Sequence, residues 1–430
     1  MRAQDWYPGK IVLAGASYVG YTQWAVAARA GDDVVAMNPH VTSSRLIRST
    51  LEGGVPQTDL VVRWGAMLHA QENAVAFARL LLGIGAGRVR RAMDAKPTTE
   101  GDRLAFGQQW QFMQDVLRRP VDDPHWDAGD FSATVGDIAI PASLYAGWYD
   151  IFLPDQLRDF AAMRAAGRDV RLTVGDFTHS ALSGMAASLR ETVTFSRERA
   201  GLQPVVERKP VRLRLMGTDT WREFDTWPPA ATMTTWHLHA GGGLSENRPP
   251  EVSQDGATSL YRYDPADPTP TVGGRLLLKG AGRVDQRPRE SRDDVLVFTS
   301  PPLAADLDVI GPLSATIWAE SDVPFFDLHV RLCEVDERGR SFNVCDGIAS
   351  LRCTPGAGPQ PYAIALAPTA QRFARGRRIR VQVSSGSHPE YLRNAGGDPS
   401  RATATELVPA LITIHHDRRH PSGVRLPHLS

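Results

Sequence analysis

The chain has 430 residues, 42% of them hydrophobic, and its 48 Lys and Arg residues are balanced by 48 Asp and Glu residues. A formal net charge of zero argues against nucleic acid or an anionic membrane surface as a partner. The length predicts about two or three domains, and because no apolar run approaches about 18 residues, no transmembrane helix is expected and the cytoplasm is the expected location.

The first predicted element is a short apolar strand, residues 11–14, which runs through a glycine-containing turn into a helix. The turn reads Gly15, Ala16, Ser17, Tyr18, Val19, Gly20. This is close to the G-x-S-x-G pattern of a nucleophile elbow, with Val19 where the second glycine is expected and Gly20 one step later. A strained turn with small neighbours would lift the Ser17 hydroxyl above the sheet. The string alone fits an ordinary loop equally well.

Residues 41–130 show no strand pattern, and helical periodicity appears at residues 58–82 and 106–117. A helical insertion at this place predicts a cap over a site. Large apolar side chains in the insertion, and one on the next strand, are candidates for the walls of a substrate pocket: Trp64, Met67, Leu68, Phe77, Trp110, Phe112, Trp126 and Trp148. Packing in a core is the alternative for each of them.

Two further strands are predicted at residues 138–147 and 170–175, and each leads into a titratable residue. The first is followed by Asp150 and the second by His179. In open α/β sheets, ligands bind outside the carboxyl ends of the strands. The chain order Ser, Asp, His is that of α/β-hydrolases.

The chemistry of these groups predicts a catalytic triad. Ser17 is the expected nucleophile, His179 the general base and acid, and Asp150 the carboxylate that orients the imidazole. The backbone N–H of Tyr18 is the expected oxyanion donor, because it follows the nucleophile.

Other titratable residues leave alternatives open. Asp176 is an alternative triad acid, whereas Asp155 is expected to cap or decorate a helix at residues 156–166. His40, His69 and His125 are interpreted as spare imidazoles.

From about residue 205, short stretches of alternating polarity with Gly- and Pro-rich turns predict a β-sandwich. Residues 205–210 are the expected linker and residues 211–216 the first strand. Neither a metal nor a cofactor is expected. The histidine-rich groups of this region are interpreted as surface or hydrogen-bonded residues, and its cysteines lack zinc or disulfide spacing; they are His237, His239, His415, His416, Asp417, His420, Cys333, Cys345 and Cys353.

Together these segments resemble the CocE/NonD serine hydrolases, a group that includes X-Pro dipeptidyl-peptidases of the S15 type and cocaine-esterase-like enzymes. The stretches that carry the resemblance are residues 15–24, 147–152, 175–179, 263–274, 298–303 and 416–427. The resemblance implies three parts in a fixed arrangement: an α/β-hydrolase domain at residues 1–40 and 131–204, a helical cap at 41–130, and a jelly-roll β-sandwich at 205–430. It places the triad on Ser17, Asp150 and His179.

The resemblance implies a serine hydrolase that cleaves a carboxylic ester or amide of a small molecule through an acyl-enzyme. X-Pro dipeptidyl-peptidase activity is one alternative, and an inactive module for binding or assembly is another. A homo-oligomer is compatible with either.

Family members carry a longer stretch before the nucleophile strand. That stretch holds the first strands of the sheet and a tyrosine whose hydroxyl is the second oxyanion donor, and no tyrosine of this chain can be matched to it. The chain is therefore expected to be truncated at its N-terminus relative to the family, with the nucleophile strand at an exposed sheet edge.

Overall fold

The computed structural model describes residues 2–75, 78, 85–251, 258–397 and 399–429. The chain divides into two units. The first unit comprises Met1–Ser49, Asp122–Ala230 and Ala370–Arg372, and the second comprises Thr50–Val121, Ala231–Thr369 and Phe373–Ser430.

In chain order, the strands of the first half are β1 (Ile11–Ala16), β2 (Val34–His40), β3 (Leu51–Glu52), β4 (Val55–Pro56), β5 (Ala142–Tyr149), β6 (Val170–Thr178), β7 (Val211–Arg214) and β8 (Trp221–Phe224). The helices are α1 (Ser17–Ala27), α2 (Thr58–Ala70), α3 (Ala86–Met93), α4 (Gly101–Phe106), α5 (Gln111–Arg118), α6 (Leu153–Ala165), α7 (Leu182–Arg199) and the short α8 (Arg287–Glu290). Among the helices that the structure describes, none combines the length and the hydrophobicity that crossing a bilayer requires.

The first unit is built on a six-stranded sheet with the order β1-β2-β5-β6-β7-β8. Strands β1, β2, β5, β6 and β7 of this sheet run parallel to one another, and β8 pairs antiparallel with β7. All eight residues of β5 are buried, as expected for a central strand of a parallel sheet that is covered on both faces. Helices α6 and α7 pack on β5 and β6, and α1 packs on β1 and β2.

Strand β1 lies at the edge of this sheet, which agrees with the position predicted for the nucleophile strand. Its residues Ile11, Val12 and Leu13 are only half-buried. Helix α7 also presents apolar side chains to solvent, including Leu182 and Leu189. The half-burial of β1 fits the expectation of an open sheet edge.

The prediction that residues 211–216 belong to the β-sandwich is wrong for Val211–Arg214, whereas Met216 forms a bridge with Gln371. Val211 pairs with Leu172 and Leu213 with Val174, so β7 extends the parallel sheet of the first unit. Both Val211 and Leu213 are fully buried there. Alternating polarity identifies a strand with one buried face, but it does not identify the sheet that the strand joins.

The helices predicted at residues 58–82 and 106–117 are both interrupted, and their described parts belong to the second unit. Helix α2 ends at Ala70, and residues 76, 77 and 79–84 lie outside the described part of the chain. The helix predicted at residues 106–117 is interrupted, because α4 ends at Phe106 with Gly107 in the left-handed region at φ 80°. Glycine adopts this conformation without strain and commonly ends a helix.

The second unit also contains a large sheet of eleven strands, most of them paired antiparallel. Its strands are β9 (Thr232–His239), β10 (Gly243–Ser245), β11 (Thr258–Tyr263), β12 (Leu296–Thr299), β13 (Leu307–Ser321), β14 (Phe325–Val335), β15 (Ser341–Arg352), β16 (Gln360–Phe373), β17 (Arg378–Ser384), β18 (Ala410–His415) and β19 (Gly423–Leu429). Their order is β11-β18-β13-β19-β9-β10-β12-β17-β14-β15, and β16 also pairs with β13. Residues 315–319, 327–332, 378–383 and 410–414, whose polarity alternates along the sequence, all lie within these strands, so the β-rich region predicted from about residue 205 is confirmed.

Candidate active site

Three side chains of the first unit occupy equivalent places in the fold. Ser17 directly follows β1, Asp150 directly follows β5 and His179 directly follows β6. Because these strands are parallel, their carboxyl ends meet at the same edge of the sheet. The structure therefore brings together three residues that are far apart in sequence.

The three side chains form a continuous line of hydrogen bonds. The His179 Nε2 atom lies 3.0 Å from the Ser17 Oγ atom, and its Nδ1 atom lies 2.7 Å from the Asp150 Oδ2 atom. The Asp150 side chain is fully buried, and that of His179 is 8% exposed. A carboxylate, an imidazole and a hydroxyl in this order can move a proton from serine to histidine.

The carboxylate and the imidazole are each held by a second contact. The other oxygen of Asp150, Oδ1, accepts the backbone N–H of Phe152 at 2.8 Å. The Phe152 ring packs edge-on against the His179 ring, with centroids 5.5 Å apart. Both contacts restrict the orientation of the groups that meet at Ser17.

The backbone at Ser17 is strained. Its φ angle is 55°, in the left-handed region that non-glycine residues seldom adopt. Helix α1 begins at this residue, so the turn directs the side chain away from the strand. Strain at this point is typical of a nucleophile between a strand and a helix.

The two glycines of the turn permit close packing. A Cβ atom on Gly15 would lie 2.6 Å from the Cγ1 atom of Val19, and one on Gly20 would lie 2.8 Å from the Cγ2 atom of Thr42. The departure from G-x-S-x-G therefore has a physical reason. Here the close approach between the helix and the neighbouring loop occurs at Gly20, one position later than in the usual pattern.

The alternative carboxylates have other surroundings. Asp155 lies in the first turn of α6 and binds the guanidinium groups of Arg45 and Arg158, at 3.1 and 2.8 Å. Asp176 is an exposed residue of β6. Asp150 is the carboxylate that lies against the His179 ring.

The candidate pocket residues fall into two groups. In the second unit, Trp64, Trp110 and Phe112 form an aromatic cluster with ring centroids 5.1 to 5.8 Å apart. Near them, Met67 and Leu68 are half-buried. Phe77 lies outside the described residues.

In the first unit, Trp126 and Trp148 are each 2% exposed. The indole N–H of Trp148 donates to the Arg214 carbonyl at 2.7 Å. Packing in the core, the alternative to a pocket wall, accounts for the burial of both tryptophans. Trp126 and Trp148 therefore do not fit the predicted role of pocket walls.

A cavity of about 480 Å³ lies beside the triad within the first unit. Its walls are mostly apolar and include Gly15, Phe177, Met185 and Leu189, together with His179 and His40. His40 was interpreted from the sequence as spare, but its ring is fully buried, with Nδ1 2.6 Å from the Ser188 hydroxyl. Burial lowers the pKa of His40 to about 4.

We expect His40 to make the protein sensitive to acid. An unfolded histidine has a pKa near 6.5, so between about pH 6.5 and 4 the unfolded chain binds a proton that the folded chain does not. The contribution of His40 to stability therefore falls as the pH falls through this window, by about 3 kcal/mol. Urea unfolding at several pH values measures the loss, and His40→Gln should flatten the profile while His125→Gln at an exposed site should not. An equally steep profile in His40→Gln would contradict the assignment.

Comparisons with known proteins match both parts of the chain. Residues 1–181 match the model of the X-Pro dipeptidyl-peptidase (S15) family, and residues 205–425 match that of the X-Pro dipeptidyl-peptidase C-terminal non-catalytic domain. The chain is similar to cocaine esterase of Rhodococcus sp. (strain MB1 Bresler), with 32% identity over 471 residues. That alignment covers 99% of this chain and 81% of the esterase.

Solved structures share the fold of this chain. An α-amino acid ester hydrolase superposes with a TM-score of 0.78 at 19% identity, covering 98% of this chain and 77% of that one. A CocE/NonD family hydrolase from Staphylococcus aureus gives a TM-score of 0.69 at 17% identity, covering 100% and 73%. These likenesses establish the predicted fold, an α/β-hydrolase domain followed by a C-terminal β domain. The family models and the full-length relative together show that this chain is a serine hydrolase and belongs to the CocE/NonD and S15 family.

Proposed function

We propose that this hydrolase cleaves carboxylic esters of small molecules through an acyl-enzyme, with Ser17 as nucleophile. The observation that carries the proposal is the unbroken hydrogen-bonded line from the Ser17 hydroxyl through His179 to Asp150. A neutral serine is a weak nucleophile near pH 7 and requires a base within hydrogen-bond reach. The His179 Nε2 atom at 3.0 Å meets that requirement.

Each group has a defined part in the two half-reactions. As Ser17 Oγ attacks the ester carbonyl, His179 Nε2 takes the hydroxyl proton and then gives it to the departing alcohol. The Nδ1–H group of His179 donates to Asp150, which holds the ring in the required tautomer and stabilises the imidazolium. Water then attacks the acyl-enzyme by the same steps in reverse order.

The developing oxyanion needs donors close to the nucleophile. Tyr18 follows Ser17 in the first turn of α1, where helix geometry directs backbone N–H groups toward a ligand at the N-terminus. We assign its N–H as one oxyanion donor.

Two observations favour an ester over an X-Pro peptide. The full-length relative at 32% identity is a cocaine esterase. A dipeptidyl-peptidase needs carboxylates or similar groups to bind the free amine of its substrate, and residues 41–130 offer Asp94, Asp102, Asp122 and Asp123 for this role. Two of these carboxylates already have protein partners. Asp94 accepts from His388 Nε2 at 2.8 Å, and Asp102 accepts from the Trp110 N–H and the Gln114 amide.

A fluorophosphonate probe tests the nucleophile directly. We expect stoichiometric labelling of the folded chain at Ser17, and no labelling of Ser17→Ala with an unchanged circular dichroism spectrum. Peptide mapping would locate the adduct. Absence of labelling on the folded wild-type chain would favour the inactive-module alternative.

Comparing p-nitrophenyl acetate with an Ala-Pro anilide tests the substrate class. We expect turnover of the ester and little or none of the anilide. Preferential cleavage of the anilide would replace the ester assignment with X-Pro dipeptidyl-peptidase activity. The cytoplasmic location and a homo-oligomeric state remain predictions.

A further inference from the structure

A group of histidine and carboxylate side chains lies on the β domain of the second unit, at the end of β18. His415 is the last residue of β18, and Asp417 and His420 follow in the connection to β19. Each of the three can turn one ligand atom toward the others, and these atoms all lie within 4.8 Å of one another. From the sequence alone these residues are interpreted as a surface cluster, because they lie just past the end of a predicted strand on a basic segment.

The structure adds a fourth side chain from a distant segment. Trp318 of β13 pairs with His415 of β18, and Glu320 lies two residues further along β13, on the same face as Trp318 because side chains alternate along a strand. The Glu320 Oε1 atom lies 3.1 Å from the His415 Nε2 atom. Glu320 thus contacts the His415 ring, while the three ligand atoms that lie within 4.8 Å of one another belong to His415, Asp417 and His420.

The connection between β18 and β19, which carries Asp417 and His420, is held in place by contacts with β13. The Ser422 hydroxyl donates to the His415 carbonyl and accepts the Trp318 N–H at 2.8 Å, which joins the connection to β13. The Trp318 ring packs edge-on against the His420 ring at 5.0 Å. Ligands that are fixed by surrounding contacts bind a metal with less ordering cost.

The two oxygens of Asp417 have separate partners. Its Oδ1 atom accepts the backbone N–H groups of Arg419 and His420, at 2.6 and 2.9 Å, and its Oδ2 atom lies 3.0 Å from His420 Nδ1. The first oxygen shapes the turn. The second faces the imidazole and is the oxygen available for a cation.

We propose that His415, Asp417 and His420 bind a divalent transition-metal ion of the zinc type, with Glu320 hydrogen-bonded to the His415 ring beside them. Zinc takes imidazole nitrogen and carboxylate oxygen at about 2.0–2.2 Å in tetrahedral geometry, so its ligand atoms lie about 3.3–3.6 Å apart. The observed separations require only small rotations of the side chains. The flanking cation Arg418 has its own partner, Glu251, at 3.2 Å.

A second group of histidine and carboxylate side chains in the described part of the chain differs from this one, because cations of the protein already contact it. His329, Asp346 and Glu390 also cluster, but they are fully buried. The Arg331 guanidinium lies 2.7 Å from Asp346, and the Arg289 guanidinium lies 3.3 Å from the His329 ring. Two guanidinium groups therefore already bind the aspartate and the histidine of that group.

Zinc binding to the full-length chain tests the proposal. The protein is treated with a chelator, dialysed, and titrated with zinc chloride by isothermal calorimetry, with metal content measured after gel filtration. We expect one zinc ion per chain, lost in His420→Ala and in Asp417→Asn. His125→Ala, which removes an exposed histidine elsewhere, is the matched control and should retain the ion.

Cobalt(II) reports the coordination geometry as well as the affinity of the site. Tetrahedral cobalt absorbs much more strongly in the visible range than octahedral cobalt. We expect the intense tetrahedral bands in the wild type. Ser422→Ala, which disturbs only the surrounding contacts, should weaken metal binding about 10–100-fold.

Three results would overturn the proposal: no stoichiometric zinc, zinc retained in the folded His420→Ala and Asp417→Asn variants, or equal loss in His125→Ala. Thermal unfolding of each variant without metal separates loss of binding from loss of fold. None of these measurements depends on hydrolase activity.

Discussion

Replacing Asp150 with asparagine is expected to lower kcat for an ester substrate by about 10⁴-fold. The carboxylate accepts from His179 Nδ1 at 2.7 Å, and an amide that presents its NH₂ group there would favour the opposite tautomer. In that tautomer Nε2 carries the proton, so it cannot accept the one from Ser17. Steady-state kinetics with p-nitrophenyl acetate measures the effect.

The fold should survive this substitution. Asparagine has nearly the same size as aspartate, and it keeps an oxygen for the Phe152 N–H, which Asp150 accepts at 2.8 Å. KM and the thermal unfolding midpoint should therefore change little. A large fall in the midpoint would indicate that the buried carboxylate serves the fold more than the reaction.

Asp176→Asn is the matched control. Asp176 is also a carboxylate close in sequence to His179, but it is exposed on β6, so its amide should leave kcat unchanged. If Asp176→Asn were to lose activity and Asp150→Asn were to keep it, the assignment of the triad acid would be reversed.

The positions of Ser17, Asp150 and His179 could be predicted because each directly follows a strand. Parallel strands carry their carboxyl ends to one edge, so the order of strands along the chain is enough to place such residues together. Their hydrogen-bond distances depend on rotamers and on contacts such as that of Phe152, which sequence does not specify. The β domain was likewise predictable, because strands with one buried face alternate in polarity.

Features that depend on pairing between distant segments were not predictable. Strand β7 has the same alternating pattern as the strands of the β domain, and only its pairing with β6 assigns it to the first sheet. The proximity of Glu320 to His415 depends on the register between β13 and β18. The burial of His40 likewise depends on the packing of α7 against β2.

A substitution in the turn around the nucleophile is expected to have the second large effect on activity. We expect Gly20→Ala to lower kcat/KM by about 10²-fold, the cost of displacing a catalytic group by roughly 1 Å. The new Cβ atom would lie 2.8 Å from Thr42 Cγ2 and 3.1 Å from the Gly15 carbonyl oxygen, so the start of α1 must shift, and Ser17 with it. Intrinsic helix propensity acts in the other direction, because alanine is more favourable than glycine by about 1 kcal/mol in a helix.

A second substitution separates the clash from any general loss of structure. Thr42→Ser removes the Cγ2 atom that the new side chain would meet. Because Thr42 is fully buried, its side chain cannot avoid this contact by turning into solvent. Combined with Gly20→Ala, it should restore part of the lost kcat/KM, while Thr42→Ser alone should stay close to the wild type. Recovery would be incomplete, because the contact with the Gly15 carbonyl remains at 3.1 Å. Full activity in Gly20→Ala alone would show that the turn can absorb the added methyl group, and the close approach at Gly20 would then not position the nucleophile.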